Sequence, residues 1–275
     1  MKGKKIKEEK KFTKIFIDDK LPFLELRHSN SGNHYKEHIH ESFSIGINIK
    51  GKSIYTNKEK KYNFEKGLIA IINPNEIHSC NALSKQNHEY YMLYLDKQWC
   101  YEIQKTISEK ITSFQNYPKS LLNSTSFYEE FKNLCELLFS KITIQEKENE
   151  LIEVFTKLFE DNISYSKEKI EDKNFELICE YLKKNFKENI SLEELAKKFR
   201  LNPFYIIRLF KANMNMTPHK YLLNIKINYS KELLKKGVTI VDTALECGFV
   251  DQSHFHRNFF NIVATTPHEY RKNFI

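Results

Sequence analysis

Apolar and polar residues alternate along the stretch HIHESFSIGINIK, residues 38–50. Its odd positions are mostly apolar, with Ile39, Phe43, Ile45, Ile47 and Ile49. Its even positions are small or polar, with His38, His40, Ser42, Ser44, Gly46 and Asn48. A period of two predicts a β-strand with one apolar and one polar face. If the strands close into a barrel, one of these faces must line its interior.

Further segments near this one are also predicted to be strands. GLIAII is continuously apolar, as expected of a strand buried on both sides, and RHSN and HEYYMLYL add more strands. We therefore predict an all-β barrel or sandwich over about residues 20–96.

The chain then changes to a helical period. Two apolar stripes recur at spacings of three and four residues between residues 126 and 161. The first stripe consists of Phe127, Phe131, Leu134 and Leu138, and the second of Leu151, Val154, Phe155 and Leu158. Such stripes form either intramolecular core or an interface between protomers. The polar segment that follows, residues 161–173, predicts a linker.

The C-terminal third contains the signals of paired short helices. Ser191 and Glu194 form a capping box before a helix at 192–199. Asn202 and Pro203 then cap and begin a helix at about 203–213, which makes a helix-turn-helix. Helical spacing places Ile206, Leu209 and Phe210 on one face and Phe204, Ile207, Arg208 and Lys211 on another.

A second unit follows the same plan. Thr239 and Asp242 flank a helix near 240–247, Gly248 supplies the turn, and Asp251 can cap a helix at about 252–262. Phe255 and Phe259 point inward on this helix, whereas Ser253, His256, Arg257 and Phe260 face outward. A long helix of about 218–236 lies between the units. Its apolar stripe of Tyr221, Leu222, Ile225, Tyr229 and Leu233 is expected to pack on both.

The two units are copies of one design. RLFKANMNMTPHKY from Arg208 and RNFFNIVATTPHEY from Arg257 coincide at six of fourteen positions, at a constant offset of 49. This similarity is an internal repeat. The repeat also lies in the most basic part of the chain. Residues 172–275 carry 17 basic and 11 acidic side chains, which gives a net charge of +6 out of +8 for the whole chain. A basic, repeated helical unit indicates an anionic polymer as partner, although surface charge for solubility would give the same excess.

Cysteine spacing and the N-terminal composition further restrict the class of protein. The five cysteines are scattered without a C-x-x-C pair, which favours neither a disulfide framework nor a zinc ribbon. The charged N-terminus has no apolar signal region and no segment reaches membrane-spanning length, so we expect a cytoplasmic protein without membrane contact.

Residues 173–273 resemble the DNA-binding domain of AraC/XylS-type transcription regulators. The matching motifs are LAKKF, NPFYIIRLFK, TPHKYL, KELLKKG, and TALECGFVDQSHFHRNFF with TTPHEYR. Asn215 and Ala264 stand where the family usually has glycine. The resemblance implies that each second helix enters a major groove of double-stranded DNA, one helical turn apart. The expected DNA-contacting residues are Phe204, Ile207, Arg208, Lys211, Gln252, Ser253, His254, His256 and Arg257.

These contact residues have alternative roles. Arg208 and Arg257 could form surface ion pairs instead of binding guanine or phosphate. Phe204 and Phe260 are either aromatic residues at the edge of the core or contacts to a thymine methyl group. Lys197, Lys198 and Lys211 are phosphate contacts or solvated charge.

The N-terminal region resembles the cupin-like sensing domain common in the same family, through His38-x-His40, the Gly67 turn and NPNEIHS ending at His78. Metal-binding cupins usually have a Glu a few residues after the His-x-His motif, where this chain has Phe43 and Ser44. We therefore expect no metal and no cofactor, and either hydrogen-bonded strand histidines or a ligand pocket lined by His38, His40, His78 and Tyr91.

The sequence thus predicts an α+β multidomain protein. The expected parts are a basic arm at 1–20, a cupin-like sensing and dimerisation domain at 21–160 with its barrel to about 96 and helices over 97–160, a linker at 161–173, and an all-α domain at 174–275 with two helix-turn-helix motifs. We interpret it as a non-enzymatic transcription regulator of promoter DNA with a small-molecule effector.

The resemblance further implies activation, contact with RNA polymerase and a homodimer in which Phe127, Phe131, Leu134 and Leu138 form the interface. The alternatives are a metal-dependent cupin enzyme fused to a DNA-binding domain, and an effector-independent regulator whose barrel only dimerises.

Overall fold

The computed structural model describes residues 11–30, 32, 36–84, 88–162, 172–214, 216–263 and 265–272. The chain divides into two compact units, Met1–Ser164 and Tyr165–Ile275. Asn215, Ala264, the first ten residues of the predicted arm and most of the predicted linker lie outside the described residues.

The first unit consists of two antiparallel sheets followed by helices. One sheet has six strands in the order β1-β2-β8-β3-β6-β9, and the other has three in the order β5-β4-β7. The strands are β1 (Thr13–Phe16), β2 (Leu24–Ser29), β3 (Phe43–Lys50), β4 (Lys52–Asn57), β5 (Lys60–Glu65), β6 (Leu68–Ile72), β7 (His78–Ala82), β8 (Glu89–Leu95) and β9 (Leu121–Asn123). The sheets face each other across Tyr55, Phe64, Ala70 and Ile72, which share one core cluster.

Strand β3 shows which of its faces lines the interior. Its polar face turns to the opposite sheet, because Asn48 Nδ2 donates to Ser53 Oγ and to the carbonyl of Phe64, both at 3.0 Å. Its apolar face packs on the helices, with the ring of Phe43 5.5 Å from that of Phe159. The inside of the barrel is therefore the polar, histidine-bearing side.

Two strands lie outside the predicted range of 20–96. Residues 13–16, placed in the predicted arm, form β1 and pair with β2, and the backbone NH of Phe12 donates to Asn30 Oδ1 at 2.7 Å. Residues 121–123, expected to be helical, form β9 on the edge of β6. Short edge strands carry little periodicity, which is why the pattern did not reveal them.

The helices of this unit are α1 (Lys97–Ile107), α2 (Thr125–Leu138) and α3 (Ile144–Glu160). Ser124 caps α2, and Thr143 with Glu146 forms a capping box on α3. Helix α2 packs on α3 and on β6 and β8. The predicted interface residues are all buried within the unit: Phe127, Phe131, Leu134 and Leu138. Their assignment to a dimer interface is wrong, because side chains already covered within the chain are not available to a partner.

The second unit is helical. Its helices are α4 (Lys173–Lys184), α5 (Leu192–Phe199), α6 (Pro203–Met214), α7 (Pro218–Lys235), α8 (Ile240–Glu246), α9 (Gln252–Val263) and α10 (Pro267–Lys272). The helix caps at Ser191, Asn202, Thr239 and Asp251 are confirmed by hydrogen bonds to backbone NH groups. The sequence did not reveal α4, which packs on α5, α6 and α7.

Helix α7 joins two separate cores. Leu222 near its start belongs to the cluster around Ile206 and Phe210, and Leu234 near its end belongs to the cluster around Phe255 and Phe259. The expected two-sided packing of this helix is confirmed. None of the helices in the described part of the chain combines the length and the apolar character that crossing a membrane requires.

Candidate DNA interface and sensor cavity

The first helix-turn-helix is formed by α5 and α6. Its turn begins at Arg200, a left-handed residue with φ 55°, and ends at Asn202, whose side chain accepts from the backbone NH of Phe204 at 2.8 Å. Phe204 and Lys211 of α6 are partly exposed. Both side chains therefore keep part of their surface exposed, unlike the buried Ile206 and Phe210 of the same helix.

Ile207 does not lie on that outer face. It is fully buried, with 0% of its surface exposed, so the expectation that it contacts DNA is wrong. Helix α6 contacts α4, α5 and α7, and these neighbours cover a wider arc than the spacing of Ile206, Leu209 and Phe210 alone predicted. Ile207 belongs to the core.

Arg208 is half-buried rather than free in solvent. Its guanidinium lies 4.8 Å from the centre of the Tyr205 ring, and the Tyr205 hydroxyl donates to the Asp172 carboxylate. This hydrogen bond raises the pKa of Tyr205 to about 12, and burial lowers the pKa of Arg208. The side chain is therefore oriented by its neighbours before any DNA is present.

The second helix-turn-helix is formed by α8 and α9. Its turn residue Gly248 has φ 69°, and a Cβ at this position would lie only 1.7 Å from the carbonyl oxygen of Lys187. Glycine is required here by both the backbone conformation and the close approach. A hydrogen bond also links the turn to α7, because Nζ of the buried Lys226 donates to the Gly248 carbonyl at 2.7 Å.

Helix α9 presents an exposed polar face. Gln252, Ser253 and Arg257 are exposed and His256 is half-buried, as expected for contacts to a ligand. Phe260 beside them is 50% exposed, which fits either the edge of the core or a contact to a thymine methyl group.

His254 differs from its neighbours. Its ring packs edge-on against Phe249 with 5.2 Å between ring centres, and both ring nitrogens are buried. Because a base edge must reach those nitrogens, the expected DNA contact by His254 is wrong. Its position one residue after Ser253 turns it toward the core.

The first unit encloses a cavity of about 410 Å³ on the polar side of the barrel. Its walls combine cationic, imidazole, amide and aromatic groups. The lining residues that the sequence did not suggest include Arg27, Lys36, His88, Tyr90, Met92 and Tyr94. Arg27 lies on β2, and Tyr90, Met92 and Tyr94 lie on β8. The face on which each of them lies can be assigned only when the strand register is known.

His38, His40 and His78 meet beside this cavity. The rings of His38 and His78 are 4.4 Å apart and those of His40 and His78 are 4.6 Å apart, measured between ring centres. Burial lowers the pKa of His78 to about 4 and also lowers the pKa of His40. Both are therefore neutral imidazoles at neutral pH.

Tyr91 is not beside these histidines. It pairs with Ile47 on the apolar side of the sheet and stacks on His28 at 4.2 Å, although it also borders the cavity. The ring against His40 is that of Tyr94, at 5.4 Å, because Tyr94 pairs with Ser44 on the polar side. The position of Tyr94, three residues further along β8, places it on the opposite face of the strand.

A domain with two helix-turn-helix units on one connecting helix, preceded by a barrel with an internal cavity, is the architecture of a ligand-responsive DNA-binding regulator. Residues 24–154 match the family model of the AraC-like ligand binding domain, and residues 195–273 match that of a helix-turn-helix domain. The chain belongs to the AraC-type transcriptional regulators, with an N-terminal ligand-binding domain and a C-terminal DNA-binding domain.

Curated relatives include the uncharacterized HTH-type transcriptional regulator YbfI of Bacillus subtilis. It is 27% identical over 233 residues, which cover 80% of this chain and 81% of the relative. The lactose operon transcription activator of Staphylococcus xylosus is 26% identical over 133 residues, 48% of this chain and 43% of that protein. Among solved structures, ToxT of Vibrio cholerae is similar at 17% identity and a TM-score of 0.38, covering 90% of this chain and 97% of that one.

Proposed function

We propose that the protein binds an asymmetric promoter site by inserting α6 and α9 into successive major grooves of double-stranded DNA. The observation that carries this proposal is the exposed face of α9. Gln252 and Ser253 are adjacent in the chain, and Arg257 lies about one helical turn further along. Guanidinium groups bind guanine O6 and N7 as bidentate donors, and amides bind adenine. The repeat places Arg208 at the corresponding position of α6.

The two copies are proposed to contribute differently. Arg257 is exposed on α9, which suits a contact to a base edge, whereas Arg208 is half-buried over Tyr205 and suits a fixed contact to a base or phosphate. Phe204, Lys211 and His256 complete the proposed surface, with lysine binding phosphate and phenylalanine touching a thymine methyl group.

Selection of bound sites from a random pool of duplex DNA tests this function. We expect the full-length protein to enrich a site with two conserved blocks whose centres are about 10 base pairs apart, one helical turn. A pool that yields no enriched sequence would exclude sequence-specific binding by this chain.

The barrel is proposed to bind a small-molecule effector in the 410 Å³ cavity and to have no catalytic turnover of its own. The mixture of Arg27, Asn48 and tyrosine rings suits a ligand with both an apolar body and polar groups. A thermal-shift screen of small metabolites tests this role. A compound that raises the unfolding midpoint of the wild-type protein should raise that of Asn48→Ala by less. An equal rise in both proteins would contradict the assignment of the ligand to this cavity.

Three further features belong to the proposal. The protein acts in the cytoplasm as a homodimer, it recruits RNA polymerase, and its effect is activation. The name of the lactose operon transcription activator, which shares 26% identity, supports activation. In-vitro transcription from a selected promoter with purified RNA polymerase tests activation, and sedimentation of the full chain tests the dimer.

A further inference from the structure

The three histidines beside the cavity are held in an arrangement that strand pairing alone does not require. His38 and His78 form a two-way backbone bridge, with each NH donating to the other's carbonyl at 3.0 Å. The carbonyl of His40 accepts from the NH of Asn75 at 2.8 Å, and Asn75 is left-handed with φ 63°. The segments that carry the three rings are thus fixed to each other by their backbones.

The side chains are oriented as well. The Nδ1 atom of each ring lies at hydrogen-bond distance from a backbone carbonyl: His38 from Lys36 at 2.9 Å, His40 from Ser42 at 3.0 Å, and His78 from Glu76 at 2.9 Å. A carbonyl can only accept, so each Nδ1 carries a proton and Nε2 is the nitrogen of each ring that can bind an ion. Hydrogen bonds of this kind orient the histidines of metal centres.

One imidazole nitrogen from each of the three histidines lies within 4.8 Å of the others. Ligands on one tetrahedral ion at about 2.0–2.1 Å would be roughly 3.4 Å apart, so the nitrogens need to approach one another by no more than about 1.4 Å. From this geometry we propose that His38, His40 and His78 bind one divalent transition-metal ion, of the zinc, cobalt or nickel type.

The donor set defines the ion and its surroundings. Three imidazole ligands without a carboxylate suit borderline ions and disfavour Mg²⁺ or Ca²⁺, which require oxygen ligands. Three protein ligands leave at least one coordination position open. Since His38 and His78 also line the cavity, that position borders the space proposed for the effector. This site revises the expectation from the sequence, which predicted no metal because the carboxylate was missing.

The test uses full-length protein without a histidine tag, stripped with chelator and titrated with Zn²⁺ by calorimetry and with Co²⁺ by visible absorption. We expect one ion per chain and cobalt d–d bands typical of a low-coordinate nitrogen site. His38→Ala removes an exposed ligand with little risk to folding, and His78→Gln removes the buried one. Each should weaken binding on the order of 100-fold or more, since even loss of an orienting partner costs 10–100-fold.

His88→Gln is the matched control, because His88 lines the same cavity but is outside the triad. It should retain wild-type affinity and stoichiometry. The proposal is overturned if the wild-type protein does not bind either ion, or if the triad variants, folded by circular dichroism, bind as tightly as the control. Metal binding is read without DNA, so the proposed promoter function and this site can fail independently.

Discussion

At the scale of single residues, the two copies of the repeat divide into structural and exposed positions. Phe210 and Phe259, which coincide in the repeat, are both completely buried. Arg208 and Arg257 also coincide, yet one is half-buried over Tyr205 and the other is exposed. The repeat therefore preserves the helix packing while the outer surface differs between the copies.

Arg257 is expected to contribute directly to base recognition. Replacing it by Ala should lower affinity for the selected site by about 1–3 kcal/mol and relax specificity at one base pair. Arg257→Lys keeps the charge but loses the bidentate geometry, so it should recover nonspecific binding more than specific binding. Fluorescence anisotropy with specific and scrambled duplexes measures both. Equal losses on the two duplexes would indicate a phosphate contact instead.

Ile207 is expected to affect folding only. Ile207→Val should lower the free energy of unfolding by about 0.5–1.5 kcal/mol, because it removes one buried methyl group. Denaturant titration and a DNA-binding isotherm at a temperature where the variant is folded measure the two effects. A changed base preference with unchanged stability would restore Ile207 to the DNA surface.

At the scale of elements, sequence periodicity predicted the helix-turn-helix units, their caps and the β-rich region. It failed where an element is short or where neighbours decide the environment. Strand β9 has only three residues, and Tyr91 and Tyr94 could be assigned to faces only once the pairing of β8 with β3 was known. The sequence identified the three histidines as candidates, but it did not show that their rings lie together. Their proximity depends on the backbone bridge between His38 and His78, which are far apart in sequence.

The α2 stripe provides a test at this scale. Leu134→Glu combined with Leu138→Glu should destabilise the sensor unit by several kcal/mol, since two charges would be buried without partners. We expect loss of its cooperative unfolding transition while the DNA-binding unit still unfolds separately. A folded double variant of wild-type stability that has changed from dimer to monomer would show that these leucines form an interface after all.

Helix α7 predicts a pH effect. Burial lowers the pKa of Lys226 to about 8 from a usual value of 10.5. Between these values the unfolded chain binds the proton and the folded chain does not, so this residue makes stability rise with pH from about 8 to 10.5. Relative to Lys226→Met, the wild-type protein should gain up to about 2 kcal/mol between pH 8 and 10. Thermal unfolding of both proteins at several pH values measures this, and parallel curves would contradict the burial effect.

At the scale of the whole molecule, the distribution of charge agrees with the division into two units. The net charge of +6 lies in the unit with two helix-turn-helix motifs, whereas the first unit encloses a cavity lined by both polar and apolar side chains. Each unit has its own core, which suits a regulator whose sensing and DNA-binding functions reside in separate domains.

The most direct test of this account is a high-resolution chemical footprint of the full-length protein on its selected site. We expect protection of guanine N7 in two major-groove segments on one face of the duplex, centred about 10 base pairs apart. Arg257→Ala should lose protection in one segment and retain it in the other. A single protected segment, or two segments that fade together in this variant, would contradict the claim that α6 and α9 each read one groove.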